Sequence, residues 1–342
     1  MILRLPDYCG EFRCSAGKCS DSCCIGWEID IDDKTADYYM SLDGQFGERF
    51  KKGISHNDVY SFALQNERCP FLNEDNLCDI ILNLGEDKLC HICAEHPRYY
   101  EWFSGVKEGG VGLCCEEAAR LVLEKGMAEG YIEREIPNED CEEYEEELYA
   151  FLFEAREKIF SLFRNKSVPF ADCVIRVLAY ADKIQEQLDN YSYGEAPEIA
   201  AVTEYKKSVP DVRTMLEIFG ALEPIDEKWK PFVVGVSQNS DKYSYNPKYE
   251  PYLRSAAIYF VWRYFMKGVF DEEIISKIRL AVISAAMLSV LFQLTGADFE
   301  QCVMLAKNYS KETEYSEENL EAIYDMCYTE DIFSAEELIK FF

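Results

Sequence analysis

The chain has 342 residues, with 35 Lys and Arg against 64 Asp and Glu, so its formal charge is −29; 48% of the side chains are apolar and 14% aromatic. This balance excludes nucleic acid as a partner, because neutralising phosphates takes clustered Lys and Arg, and it disfavours an anionic membrane surface. The apolar share excludes a disordered acidic chain and is enough to build one large domain or two of ordinary size.

Taken in chain order, Met1 to Asp7 lacks the apolar run of a secretory leader, so the expected compartment is the cytoplasm, where thiols stay reduced. As far as about Gly112, frequent glycines break the sequence into loops and short elements. Within that stretch Trp27 to Asp32 alternates apolar and polar residues, as a short strand or as the entry to a helix capped near Asp32 or Asp33. Glu108 to Gly112 is glycine-rich without GxGxxG spacing and reads as a turn. After Cys115 the apolar spacing becomes helical. Helices are expected over 116–129, about 139–163, 171–190, 211–221, 251–267, 272–294, 298–308, 317–326 and 334–341, with loop-like breaks at 192–210 and 223–251. Aromatics from Tyr259 to Phe265 read as helix core. Ala281 to Leu294 is the longest apolar stretch, short of the roughly 20 residues that span a bilayer; it reads as a buried core helix, and no membrane insertion is expected. The fold class is therefore mainly α, with a cysteine-rich, loop-rich, metal-binding region over 1–130 and a helical region over 131–342.

Eleven of the fifteen cysteines fall within the first 115 residues. They form Cys14-x4-Cys19-x3-Cys23-Cys24, Cys69-Pro70-Phe71 with Cys78 nine residues on, Cys90-His91-Ile92-Cys93 and Cys114-Cys115, with Cys9 apart. Short spacings let two thiolates reach one metal from a single turn, and folding unites separate pairs. Small buried thiols or a disulfide framework are the competing readings, the second at odds with a reducing compartment. Zinc and iron-sulfur both accept four thiolates; the two adjacent pairs lean toward a larger cluster or two separate centres. His56, His91 and His96 read as ligands, proton carriers or solvated loop residues. No Walker lysine, GxSxG elbow or HExxH pair is present, and Gly26 stands where a CxxxCxxC signature needs its third thiol.

Pro6-x-Tyr8, Phe12-x-Cys14, Cys19-x-Asp21-x-Cys23-Cys24-x-Gly26-Trp27-x-Ile29-x-Ile31-Asp32, Cys69-Pro70-Phe71-Leu72, Cys93-x-x-His96-Pro97-Arg98 and Cys115-x-Glu117-Ala118-Ala119 together resemble the flagellin lysine N-methylase family, and more distantly the bacterial cysteine-cluster proteins. The resemblance implies a cytoplasmic bacterial enzyme that moves a methyl group from S-adenosylmethionine to lysine ε-amines of flagellin. It also implies an iron-sulfur cluster, 4Fe-4S in type with zinc as the alternative. Matched by position, the family's cysteines are Cys14, Cys19, Cys23, Cys24, Cys69, Cys78, Cys93 and Cys115, with Cys9, Cys90 and Cys114 as extras. Arg98 and Glu117 are the polar residues expected to line the donor site. A surface ion pair and helix capping are their plainer readings. Two other classes of function stay open: a metal-stabilised adaptor without enzymatic activity, and a redox sensor in which a cluster or a Cys pair cycles.

Overall fold

The computed structural model describes residues 1–20, 22–26, 28–103, 105–140, 144–201 and 208–342; Asp21, Trp27 and Cys141 lie outside them. In chain order the strands are β1 (Ile2–Pro6), β2 (Asp30–Ile31), β3 (Ile54–His56), β4 (Tyr60–Phe62), β5 (Arg98–Phe103), β6 (Val106–Val111) and β7 (Tyr131–Glu135). The helices are α1 (Asp33–Met40), α2 (Gly44–Gly53), α3 (Asp79–Leu84), α4 (His91–Glu95), α5 (Glu116–Lys125), α6 (Glu146–Arg164), α7 (Phe170–Asp189), α8 (Val212–Ala221), α9 (Trp229–Ser237), α10 (Glu250–Tyr264), α11 (Gly268–Asp271), α12 (Ile275–Thr295), α13 (Phe299–Glu314), α14 (Glu317–Thr329) and α15 (Ala335–Leu338).

The chain divides into two compact units. The cysteine unit is Arg13–Tyr99 plus Cys115–Glu117, and the helical unit is Met1–Phe12, Tyr100–Cys114 and Ala118–Phe342. The division differs from the single boundary near 130 that the sequence suggests, because the chain's first strand and the segment from Tyr100 to Cys114 belong with the helices.

The helical unit carries a four-stranded sheet in the order β5-β6-β1-β7. β1 runs parallel to β6, pairing Ile2 with Val106 and Arg4 with Glu108, and antiparallel to β7, pairing Ile2 with Glu135 and Pro6 with Tyr131. The glycine-rich Glu108 to Val111 is thus the buried part of a strand, not the turn expected, since its parallel partner lies about a hundred residues away and no local spacing announces it. In α12 Leu280, Leu288, Leu291 and Phe292 are fully buried, each contributing roughly 1.5–3 kcal/mol of transfer free energy. Gly296 then ends the helix at φ 68°, a left-handed conformation that suits glycine. With 21 residues α12 is longer than its apolar stretch suggests, long and apolar enough for a membrane span, but 89% of its apolar window is buried within the fold. It is the unit's core helix. Tyr259, Phe260, Trp262, Tyr264 and Phe265 are likewise buried. Among these carbons sits one ion pair: the Arg156 Nη1 and Nη2 groups donate to Glu108 Oε2 and Oε1 at 2.6 and 2.7 Å, while the guanidinium lies 4.4 Å from the Trp262 ring centre.

Two helical expectations need correcting. α6 begins at Glu146 rather than 139, because the Glu139 carboxylate accepts from Trp102 Nε1 at 2.6 Å and Lys107 Nζ at 2.8 Å. The break at 223–251 contains α9, whose Pro231 sits in the first turn, where a missing N–H costs nothing.

In the cysteine unit a three-stranded antiparallel sheet, β2-β4-β3, packs with short helices. Both readings of the Trp27 to Asp32 region hold in turn, a strand over Asp30–Ile31 and then a helix capped by Asp32.

Candidate metal centre

The core of the cysteine unit is built from aromatic rings, aliphatic side chains such as Ile29, Ile31, Ile54 and Ile80, and sulfur. Phe50 stacks on Tyr39 at 4.2 Å and on Phe71 at 4.3 Å between ring centres. Cys69 and Cys90 are buried in this cluster, and Cys24, Cys78 and Cys93 pack against it. Each arrives on a fixed piece of backbone. The Cys69 N–H donates to Cys24 O at 2.9 Å, and a Leu72–Cys78 bridge puts Cys69 and Cys78 at the neck of one loop. That loop is pinned by Arg49, which donates to Pro70 O and Asp79 Oδ2, each at 2.6 Å, and by Arg68, which donates to Asn73 O at 2.6 Å. Cys90 and Cys93 face each other across the first turn of α4. Asp32 fixes that turn, because Oδ2 accepts the His91 N–H and Oδ1 the Thr35 N–H, each at 3.0 Å, so one carboxylate serves the starts of both α1 and α4.

The thiols perturb one another. Burial pushes Cys69 up to about 12, opposed by the Phe71 N–H and reinforced by the neighbouring Cys24, Cys78 and Cys90. Cys78 is raised by burial too, with Cys24 adding to it. In the two hydrogen-bonded pairs one thiol serves the other. The Cys93 thiol holds Cys90 down and is itself raised, and the Cys23 thiol does the same for Cys24, which Ser22 and Arg68 also favour in its charged form. Thiols held neutral in this way would give up their protons when a cation enters and takes up the charge, so metal binding there would release protons. Among the described residues no three His, Cys, Asp or Glu side chains converge tightly enough to hold an ion as they stand, and all described cysteines are free thiols. The donor set is sulfur alone, which fits zinc or an iron-sulfur cluster and does not fit a hard cation such as calcium or magnesium.

The remaining expected ligands, Cys14, Cys19, Cys23 and Cys115, belong to the same unit but not to its aromatic core; Cys14 and Cys23 are exposed, Cys19 and Cys115 half-buried. The adjacent Cys114 and Cys115 part company: Cys114 is in the helical unit, its Sγ donating to Tyr315 Oη at 2.8 Å, whereas Cys115 is in the cysteine unit. Cys90, an extra by family position, lies in the same core as Cys93, and only its short spacing from that residue announces it. Of the histidines, His56 is exposed beside Tyr60, ring centres 4.1 Å apart, and His91 is exposed at the start of α4. His96 is half-buried and pushed down to about 4 by burial, with the Arg98 charge adding to the effect. Arg98 is exposed at the start of β5, and Glu117 is half-buried in the first turn of α5.

A polar network in the helical unit has no sequence signature. Glu314 Oε2 accepts from Tyr259 Oη at 2.9 Å and Tyr264 Oη at 3.2 Å and pairs with Arg263 at 2.7 Å, and Oε1 is buried without a partner among the described residues.

The family model described as FliB lysine N-methylase C-terminal domain matches residues 156–341. The chain is 26% identical over 212 residues to a lysine-N-methylase of Salmonella typhimurium, across 57% of this chain and 51% of that protein, and the lysine-N-methylase of Salmonella choleraesuis matches to the same extent. It is 31% identical over 126 residues to a flagellar biosynthetic protein FliU of Salmonella muenchen, across 34% of this chain and 75% of that protein. The chain spans about half the length of the curated lysine-N-methylases it matches. No solved structure matches it. With a C-terminal match over more than half its length and the resemblance carried by its N-terminal cysteine motifs, the chain belongs to the flagellin lysine N-methylase family.

Proposed function

We propose that this chain transfers methyl groups from S-adenosylmethionine to lysine ε-amines of flagellin in the cytoplasm, without membrane insertion, and that its cysteine unit holds an iron-sulfur cluster. The observation that carries the reading is the family match over 156–341, joined to curated relatives named as lysine-N-methylases. Methyl transfer needs a neutral amine, since an ammonium has no lone pair to attack with. An acidic protein of charge −29 attracts both the lysine cation and the sulfonium donor. In this reading Arg98 and Glu117 serve the donor. The ligands of the cluster are drawn from Cys14, Cys19, Cys23, Cys24, Cys69, Cys78, Cys93 and Cys115. A bound cluster would supply a redox-active or structural metal centre. The residues around it tie its loops, through Arg49, Arg68 and Asp32.

The test is mass spectrometry of flagellin incubated with anaerobically purified protein and S-adenosylmethionine. Lysine mass gains of one methyl unit that require both protein and donor are expected. Their absence with metal-loaded protein and intact flagellin would overturn the reading and leave the adaptor or the redox sensor.

A further inference from the structure

We infer that Glu314 binds a primary ammonium group, the ε-ammonium of the substrate lysine or the α-ammonium of the methyl donor, at the carboxylate oxygen that the fold leaves unpaired. The inference deepens the proposed methyl transfer and rests on that reading for the identity of the amine.

Three observations carry it. The first is an imbalance at one carboxylate. The Glu314 side chain is 0% exposed; its Oε2 accepts from the Tyr259 hydroxyl at 2.9 Å, the Tyr264 hydroxyl at 3.2 Å and the Arg263 Nη1 group at 2.7 Å. Oε1 is buried without a partner among the described residues. A carboxylate carries lone pairs on both oxygens, and a charged acceptor sealed from water is costlier to leave unmade than a neutral one.

The second is a comparison within the same unit. Arg156 meets Glu108 with both Nη groups, one to each oxygen, which is how a guanidinium closes a carboxylate when the pair serves packing. Arg263 does not close Glu314 in that way. Its Nη1 is shared between Glu314 Oε2 and the Tyr259 hydroxyl, each at 2.7 Å, and that hydroxyl also accepts the Leu113 N–H at 3.2 Å. With two bonds accepted and one donated, the Tyr259 hydroxyl has nothing left for Oε1.

The third is the setting. Glu314 is the last residue of α13, where the carbonyl groups of a helix C-terminus repel a carboxylate and attract a cation. Arg263 is the most exposed of the four side chains at 16%, while Tyr259 and Tyr264 are buried, so a charged amine enters beside Arg263. The unpaired acceptor selects the ligand class. A primary ammonium brings a positive charge and N–H donors, whereas a sulfonium brings charge without a donor and leaves Oε1 unmatched.

The test separates the two sources of the amine. Full-length protein and Glu314→Gln, which keeps the shape and removes the charge, are compared in methyl transfer and in calorimetric binding of flagellin and of S-adenosylmethionine. A weakening of about tenfold or more for flagellin alone, in KM and in Kd, assigns the site to the substrate lysine. The same weakening for S-adenosylmethionine alone assigns it to the donor's amino group. Unchanged constants for both in a folded variant overturn the inference and leave Oε1 to water. If the variant does not fold, or weakens both alike, the unaltered protein decides: n-butylammonium should bind saturably and compete with one of the two ligands, and n-butyltrimethylammonium, which has the charge but no N–H, should not. Equal binding of the two amines, or binding of neither, overturns the inference. Weakened binding in the variant without methyl transfer by the unaltered protein would overturn only the methylase reading; methyl transfer and binding that Glu314→Gln leaves unchanged would overturn only this one.

Discussion

The two units are held together by different chemistry. The helical unit is saturated with carbon: α12 is buried nearly all round, and the buried ion pair of Arg156 with Glu108 has both guanidinium Nη groups paired. The cysteine unit builds its core from a short stack of rings and a few aliphatic side chains, with two thiols inside it and three packed against it, on helices of five to ten residues. A unit of this size gains less from burial than the larger helical one, so any metal its thiols bind would add proportionately more to its stability. The contrast teaches that one chain can place its largest apolar core in one unit and most of its thiols in another.

The contrast breaks most visibly if metal is withdrawn. Chelation should loosen the cysteine unit, read as new protease cleavage within residues 13–99, while far-ultraviolet circular dichroism from the long helices persists; a parallel loss of both signals would show the units to be one cooperative structure. Replacing Arg156 by Ala leaves the buried Glu108 carboxylate only its longer contact with Arg4, at 3.4 Å, and should cost the helical unit about 3–5 kcal/mol in denaturant unfolding, with metal content unchanged. Acid should act on the other side. The folded value of His96, about 4, lies below the unfolded value near 6.5, so the unfolded chain binds a proton that the folded chain refuses. Stability in the metal-free cysteine unit is then complete above pH 6.5 and falls by up to about 3 kcal/mol as the pH drops to 4. His96→Gln should flatten that window in a pH series of unfolding curves. The smallest effect belongs to Asp32→Ala, which removes the acceptor for the starts of α1 and α4 and should cost about 1–2 kcal/mol, again in the cysteine unit alone.

Much of the helical unit was legible because its signal is local. The apolar stripe of Leu148, Phe151, Leu152, Ala155 and Ile159 repeats every three or four residues whatever lies elsewhere, and α6 through α14 follow from such stripes, α9 and the single turn of α11 excepted. The sheet was not legible, since β1 finds β6 and β7 only across about a hundred residues and glycines mask β6. α9 was hidden by Pro231, which suits a first turn as well as a loop. For the cysteines, spacing revealed the density and the pairs. It could not show that Cys114 and Cys115 separate, because that depends on Glu116 meeting Ser20, nor that Cys90 shares a core with Cys69.

The pairing of β1 with β6 also has a consequence in time. At roughly 5–20 residues per second of synthesis, Ile2 to Pro6 leave the ribosome on the order of 5–20 s before their parallel partner exists. In that interval an apolar strand with open hydrogen-bonding edges is without its sheet, so the sheet must close late, after the polypeptide beyond Tyr131 has emerged.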